Sequence, residues 1–303
     1  MSLTRVVPVI RQMPDVSPKK IFTTDYTCPQ CLGLCAYVWI AVPVTRAACY
    51  ALAMAWELVI CFTAKLFRKG QGMDETFEER LAVIRERVAQ ACARAGRKTE
   101  TVNILTVSKT HGPERVCEAA ACGLTVFGEN KVQEAKQKIP LCPGHLVWHL
   151  VGHLQTNKVK DAVRLFARIH SVDSLKLLGA IDDAGEITGR VMPVFLEVNV
   201  SGESSKFGMA PDEVPVVLNA ANEMKRVEVA GLMTIPPAAE DPEHARPYFR
   251  RLRELRDGWR QATGFALDEL SMGMSHDFEV AIEEGASWIR LGTVLFGSRS
   301  VRP

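Results

Sequence analysis

Eight short apolar runs alternate with amphipathic segments through most of this chain, and that alternation constrains the fold more than any other feature. Strands are expected at 102–108, 125–128, 146–151, 168–172, 191–200, 227–233, 269–271 and 288–291. Helices are expected at 77–95, 113–122, 131–138, 157–166, 174–184, 211–222, 242–262 and 276–284. Strands separated by such helices argue for a parallel sheet. Eight of them argue for closure into a single (β/α)8 TIM-type barrel, and the length from Met73 onward is close to the roughly 250 residues typical of that fold. A doubly wound open sheet is the alternative. No Gly-x-Gly-x-x-Gly follows the first strand, which counts against a dinucleotide-binding version of it.

In a barrel of this kind chemistry gathers at the C-terminal strand ends. Lys109, Gly128-Glu129-Asn130, Gly152-His153, Asp173, Asn199, Met233-Thr234, Ser275 and Gly292-Thr293 all fall there. Lys109 closes the run Asn103 to Thr110, apolar almost to its end. An amine where the chain leaves a packed core loses hydration, its pKa falls, and the neutral form becomes a nucleophile able to form an imine with an aldehyde. The alternative is a strand-capping lysine with its amine in solvent. Gly273 is expected to let backbone approach a ligand, with the Ser275 hydroxyl at a helix start favouring an anion. Gly292-Thr293 reads as a second anion cradle. Arg290, flanked by Ile289 and Leu291, must point away from them and needs an acceptor, either a carboxylate or a group on a bound cofactor.

Other candidates point elsewhere. His149 and His153 lie four apart, which along a strand is about 13 Å, so they cannot share a metal ion. Lys206 is a rival imine lysine, but it lies well past its strand in a polar loop and should stay hydrated. Lys158 reads as a solvated charge, and Asp277 and Glu279 as helix-start carboxylates. The net charge of +2, with both signs interspersed, leaves no basic stripe for nucleic acid. Nine cysteines without framework spacing point to reduced thiols and the cytosol.

Five of those cysteines precede residue 72, where composition changes. Residues 1–72 form a hydrophobic N-terminal extension to the domain at 73–303. Pro43, Arg46 and Glu57 interrupt its apolar stretch, so a membrane anchor fits poorly against the roughly 20 consecutive residues a span needs. A signal peptide fits worse, because the apolar part begins too far in. Zinc at Cys28, Cys31 and Cys35 lacks a fourth nearby ligand. The favoured reading is an over-extended start or poorly ordered leader, with translation beginning at Met73. Residues Arg68-Lys69-Gly70-Gln71-Gly72 would be encoded by purine-rich codons where a ribosome-binding site should lie.

Seven ordered segments carry a resemblance: Leu105 to Thr110, Phe127 to Asn130, Trp148 to Lys158, His170 to Ser174, Gly231 to Pro236, Leu270 to Asp277, and Arg290 to Phe296. Together they resemble the pyridoxal phosphate homeostasis proteins, relatives of the alanine racemase N-terminal barrel and of fold type III among enzymes using pyridoxal 5′-phosphate (PLP). The likeness covers nearly all of 73–303 and none of 1–72; Thr106 stands where alanine is usual. It implies that Lys109 holds PLP as an internal aldimine. It also implies that Ser275, Gly292 and Thr293 hold the phosphate, that Asn130 and Met233 line the ring, and that Arg290 faces the pyridine nitrogen.

A cation beside that nitrogen disfavours its protonation and weakens the ring as an electron sink. The resemblance therefore implies a PLP carrier of the cytoplasm that passes the cofactor transiently to apo-enzymes, without strong catalytic activity. The alternative is an amino-acid racemase of the alanine type. Racemases of this barrel add a C-terminal domain whose tyrosine is the opposite-face base. Only ten residues follow Thr293, and Tyr248 falls within a helix, so that base is not expected here.

Overall fold

The computed structural model describes residues 75–203 and 206–297. The expectations for residues 1–72 lie outside the described residues. Strands β1 (Asn103–Val107), β2 (Val126–Glu129), β3 (Val147–Leu150), β4 (Arg168–Val172), β5 (Met192–Glu197), β6 (Val227–Met233), β7 (Glu269–Met274) and β8 (Trp288–Leu291) follow one another in space as in sequence. Each pairs in parallel with the next, and β8 returns to β1 with Asn103 opposite Trp288 and Thr106 opposite Leu291. The result is a closed TIM-type α/β barrel.

Closure follows from the helices as much as from the strands. Helices α1 (Phe77–Arg94), α2 (Pro113–Ala121), α3 (Val132–Lys138), α4 (Val159–Leu165), α5 (Leu175–Thr188), α6 (Val214–Ala221), α7 (Arg246–Thr263), α8 (Phe278–Glu283) and α9 (Thr293–Phe296) alternate with the strands. Their apolar stripes must be covered, and the outer sheet surface covers them. Phe77, Phe127, Phe166, Phe249 and Phe278 are fully buried in that outer layer. Each contributes on the order of 1.5–3 kcal/mol relative to exposure. α1 starts cleanly because Thr76 and Glu79 form a reciprocal capping box.

A second, smaller cluster fills the barrel interior: Leu105, Val107, Val151, Phe195, Met233 and Trp288. Gly231 makes room for the sheet itself, since a Cβ there would stand 1.8 Å from the Glu269 carbonyl oxygen. Register shifts interrupt β4–β5, β5–β6 and β7–β8. The last one matters for the site. The glycine-containing segment after Ser271 reads as a loop in sequence, yet β7 continues to Met274, with Gly273 at φ +90° inside it. Among the described residues, no helix is long and apolar enough to cross a membrane, and Cys92, Cys117, Cys122 and Cys142 are free thiols.

Candidate functional site

At the C-terminal mouth of the barrel lies a cavity of about 250 Å³. Lys109, Asn130, Ser275, Arg290, Gly292 and Thr293 all line it, brought together from β1, β2, β7 and β8. Val107 and Val151 supply apolar surface from the barrel interior, with Ile235 and Met274 completing the apolar lining. His276 adds an exposed imidazole. No carboxylate stands among the lining residues described.

Lys109 is not the last residue of its strand. β1 ends at Val107, and the chain turns through Ser108 to His111, whose N–H donates to the Ser108 carbonyl at 3.1 Å. The lysine is thus partly exposed and projects from a turn. The next residue, Thr110, has φ +67°, unusual for a β-branched side chain. Met233 is fully buried in the interior cluster and is not among the residues that line the cavity.

Ser275 plays a different part from a helix start. The α8 cap position is Asp277, whose carboxylate turns back and accepts from the Met274 N–H at 2.6 Å. Ser275 Oγ instead accepts the N–H groups of Gly292 and Val294, both at 3.3 Å. A hydroxyl accepting two bonds still has its own proton to donate. At Gly273 the positive φ and the Ala281 side chain 2.5 Å from an added Cβ require glycine, which lets α8 pack closely on β7. Gly292 passes close to β1, where a Cβ would lie 3.1 Å from the Val107 carbonyl oxygen.

Arg290 is 5 % exposed, and its acceptors are backbone and hydroxyl rather than carboxylate. Nη1 donates to the Ser271 carbonyl at 2.6 Å and to Ser271 Oγ at 2.9 Å, and Nη2 to the Thr234 carbonyl at 3.0 Å. Burial lowers its pKa to about 10, against the pull of Asp277 and Glu197, so the guanidinium stays charged at neutral pH.

Behind Arg290 runs a buried polar chain that sequence reasoning missed. His149 Nδ1 lies 3.1 Å from His170 Nε2, and His170 Nδ1 lies 2.8 Å from Ser271 Oγ. Desolvation holds both imidazoles neutral: His149 falls to about 3 and His170 falls well below its usual value. His153 lies apart from this chain, 3.0 Å from Asp173 and stacked on Phe207. The two histidines four apart thus have separate partners. The signal for His170 was its two-residue spacing from Arg168 on β4, which places both on one face.

Glu197, at the end of β5, was also missed. It is buried, and desolvation raises its carboxyl to about 7, with Asp173 pushing the same way and Arg290 opposing. Lys206 lies past the end of β5, as expected, and is held by nearby oxygens. Its side chain is 22 % exposed, 3.4 Å from the Ile235 carbonyl and 3.6 Å from Glu203. It borders a hollow of about 400 Å³ that shares Ile235, Met274 and His276 with the main cavity. Asp277 and Glu279 do sit at the start of α8, and Glu279 pairs with Arg87 at 2.8 Å.

The family model for the alanine racemase N-terminal domain matches residues 80–300. A pyridoxal phosphate homeostasis protein of Aquifex aeolicus is 48 % identical over 222 residues, covering 73 % of this chain and 97 % of the relative. That of Pseudomonas aeruginosa is 41 % identical over 225 residues, covering 74 % and 96 %. The solved structure of PipY from Synechococcus elongatus PCC7942 with PLP bound superposes with a TM-score of 0.61 at 36 % identity. It covers 69 % of this chain and all of PipY.

Proposed function

This chain belongs to the pyridoxal phosphate homeostasis protein family, and from that premise we propose that it binds PLP reversibly at the barrel mouth, withholds the aldehyde from bulk reactions and releases it to apo-enzymes. The observation that carries this reading is the lining. It presents Lys109, Arg290, His276 and two hydroxyls to one space, with no carboxylate among the described residues. Such a donor set suits a phosphorylated aldehyde. PLP supplies a carbonyl carbon with which a primary amine condenses reversibly.

Lys109 is the amine of this reading. Ser275 donates its remaining proton to the phosphate. The 3.3 Å bonds from Gly292 and Val294 to Ser275 are long enough for a stronger acceptor to displace them. Thr293 adds a hydroxyl, Asn130 meets the ring edge, and Arg290 faces the pyridine nitrogen. Held by three acceptor contacts, Arg290 keeps a fixed cation there. A fixed cation opposes protonation of that nitrogen and leaves a bound amino acid poorly activated. Racemisation also needs two proton-transfer groups on opposite faces. Among the described lining residues, Lys109 and the exposed His276 are the candidates, and no tyrosine is present. The reading is therefore carriage rather than catalysis.

Borohydride reduction followed by peptide mass spectrometry tests it. The purified chain should be yellow and yield a reduced adduct at Lys109. Lys109→Ala should lose colour and adduct while melting within a few degrees of the native protein. Solvent deuterium entering the α-position of alanine at an enzyme-like rate would overturn the carrier reading.

A further inference from the structure

We propose that Glu129, Glu134 and Lys138 are positioning residues that aim Lys109 into the cavity by clamping the peptide units on either side of it. The inference rests on Lys109 being the PLP-binding amine. Before Lys109, Ser108 donates through Oγ to Glu129 Oε1 at 2.6 Å, and its carbonyl accepts from Lys138 Nζ at 2.8 Å. After Lys109, the Thr110 N–H donates to Glu134 Oε1 at 2.6 Å. Lys138 Nζ joins the two sides, donating to Glu129 Oε1 at 2.7 Å and to Glu134 Oε1 at 2.8 Å. All three protons of that ammonium are committed.

The location of this cluster distinguishes it from an ordinary helix-to-sheet ion pair. Lys138 is 6 % exposed and Glu129 fully buried. Desolvating such a pair is costly, and apolar residues of similar volume often serve stability as well or better. Here the charge is spent on the two residues that flank Lys109. The β1–β2 ladder ends with Ser108 N–H donating to the Gly128 carbonyl at 3.0 Å. Past that point Thr110 takes a left-handed conformation that a β-branched residue holds only when its surroundings enforce it. The Glu134 carboxylate supplies part of that enforcement. Glu134 and Lys138 stand four apart on α3, so one helical face reaches both sides of the turn.

The chemistry needs such aim. When an amine condenses with an aldehyde, nitrogen bonds to the carbonyl carbon, the carbonyl oxygen leaves as water, and nothing is oxidised or reduced. With the phosphate gripped at the β7 and β8 ends, the carbonyl carbon has one place to be, and the amine must meet it there. Loosening the clamp should weaken the covalent step and spare the phosphate grip.

The test uses the full chain and two ligands, PLP and pyridoxine 5′-phosphate, whose alcohol cannot condense with an amine. Binding of each is measured by calorimetry, and the Lys109 adduct after borohydride by mass spectrometry. Glu134→Ala should weaken PLP binding about tenfold, the worth of one charge-assisted hydrogen bond. Pyridoxine 5′-phosphate should stay within about twofold of its native affinity, since no phosphate contact changes. Glu134→Gln keeps an oxygen for the Thr110 N–H and should restore most of the loss. Lys138→Met, with the same split expected, is the second variant. Equal weakening for both ligands would mark a structural role and overturn the proposal, as would no weakening for either. A native chain that forms no Lys109 adduct would overturn both this proposal and the reading of Lys109; a native adduct without the split overturns the clamp alone.

Discussion

Replacing Glu197 with glutamine should flatten a specific part of the pH dependence of stability. In the folded barrel its carboxyl is raised from 4.5 to about 7, chiefly by desolvation, with Asp173 adding to the rise and Arg290 opposing it. In the unfolded chain it titrates near its ordinary value. Between those two values the folded state retains a proton that the unfolded state has released. Stability must therefore fall as pH rises through that window and level off above the folded value. At 1.36 kcal/mol per pKa unit, the whole change is about 3 kcal/mol. Urea unfolding of the cofactor-free native chain and of Glu197→Gln at pH 5 and pH 8 isolates it, because other titrating groups cancel in the difference. The native protein should lose about 2–3 kcal/mol more than the variant between the two conditions. A difference flat to within about 0.5 kcal/mol would refute a buried, uncompensated carboxyl at that position.

Ser275→Ala removes the shared acceptor of Gly292 and Val294. It should raise the PLP dissociation constant several-fold, read by dialysis, while the Lys109 adduct still forms. Gly231→Ala forces a Cβ to 1.8 Å from the Glu269 carbonyl oxygen, a backbone atom that cannot step aside. A loss of about 3 kcal/mol or more, or no soluble protein, is expected in denaturant titration. Glu284→Gln leaves Arg246, Arg250 and Arg253 without a shared, 5 %-exposed carboxylate. It should destabilise by about 1–3 kcal/mol, with a loss that persists in salt, since a buried acceptor is screened little.

Strands 168–172, 227–233 and 288–291 were legible in sequence to the residue, because their apolar runs stop where the chain leaves the core. β7 was read three residues short because Gly273 looks like a loop residue when its φ of +90° within a strand is unknown. The same limit separates the site residues. Lys109, Asn130, Ser275, Arg290, Gly292 and Thr293 share one cavity because strand-end position is readable along the chain. Met233 lies in the interior cluster and not along the cavity lining, a difference of depth that periodicity does not measure. The contact between His170 and Ser271 was hidden because buried parallel strands are apolar on both faces, so no alternation shows which side turns inward. Glu129 stands at a strand end in the sequence, but its link to Glu134 and Lys138 becomes visible only where the fold carries Ser108 and Thr110 against them.

The seam at which the sheet closes runs between β8 and β1, and the two halves of the grip stand on either side of it. The amine follows two residues after the first barrel strand made, and the guanidinium belongs to the last. On the proposed reading a nascent chain possesses no cofactor site until its final strand has docked beside its first, and partly zipped barrels should pass through synthesis without capturing the aldehyde. Colour appearing during translation would report completion of the ring itself.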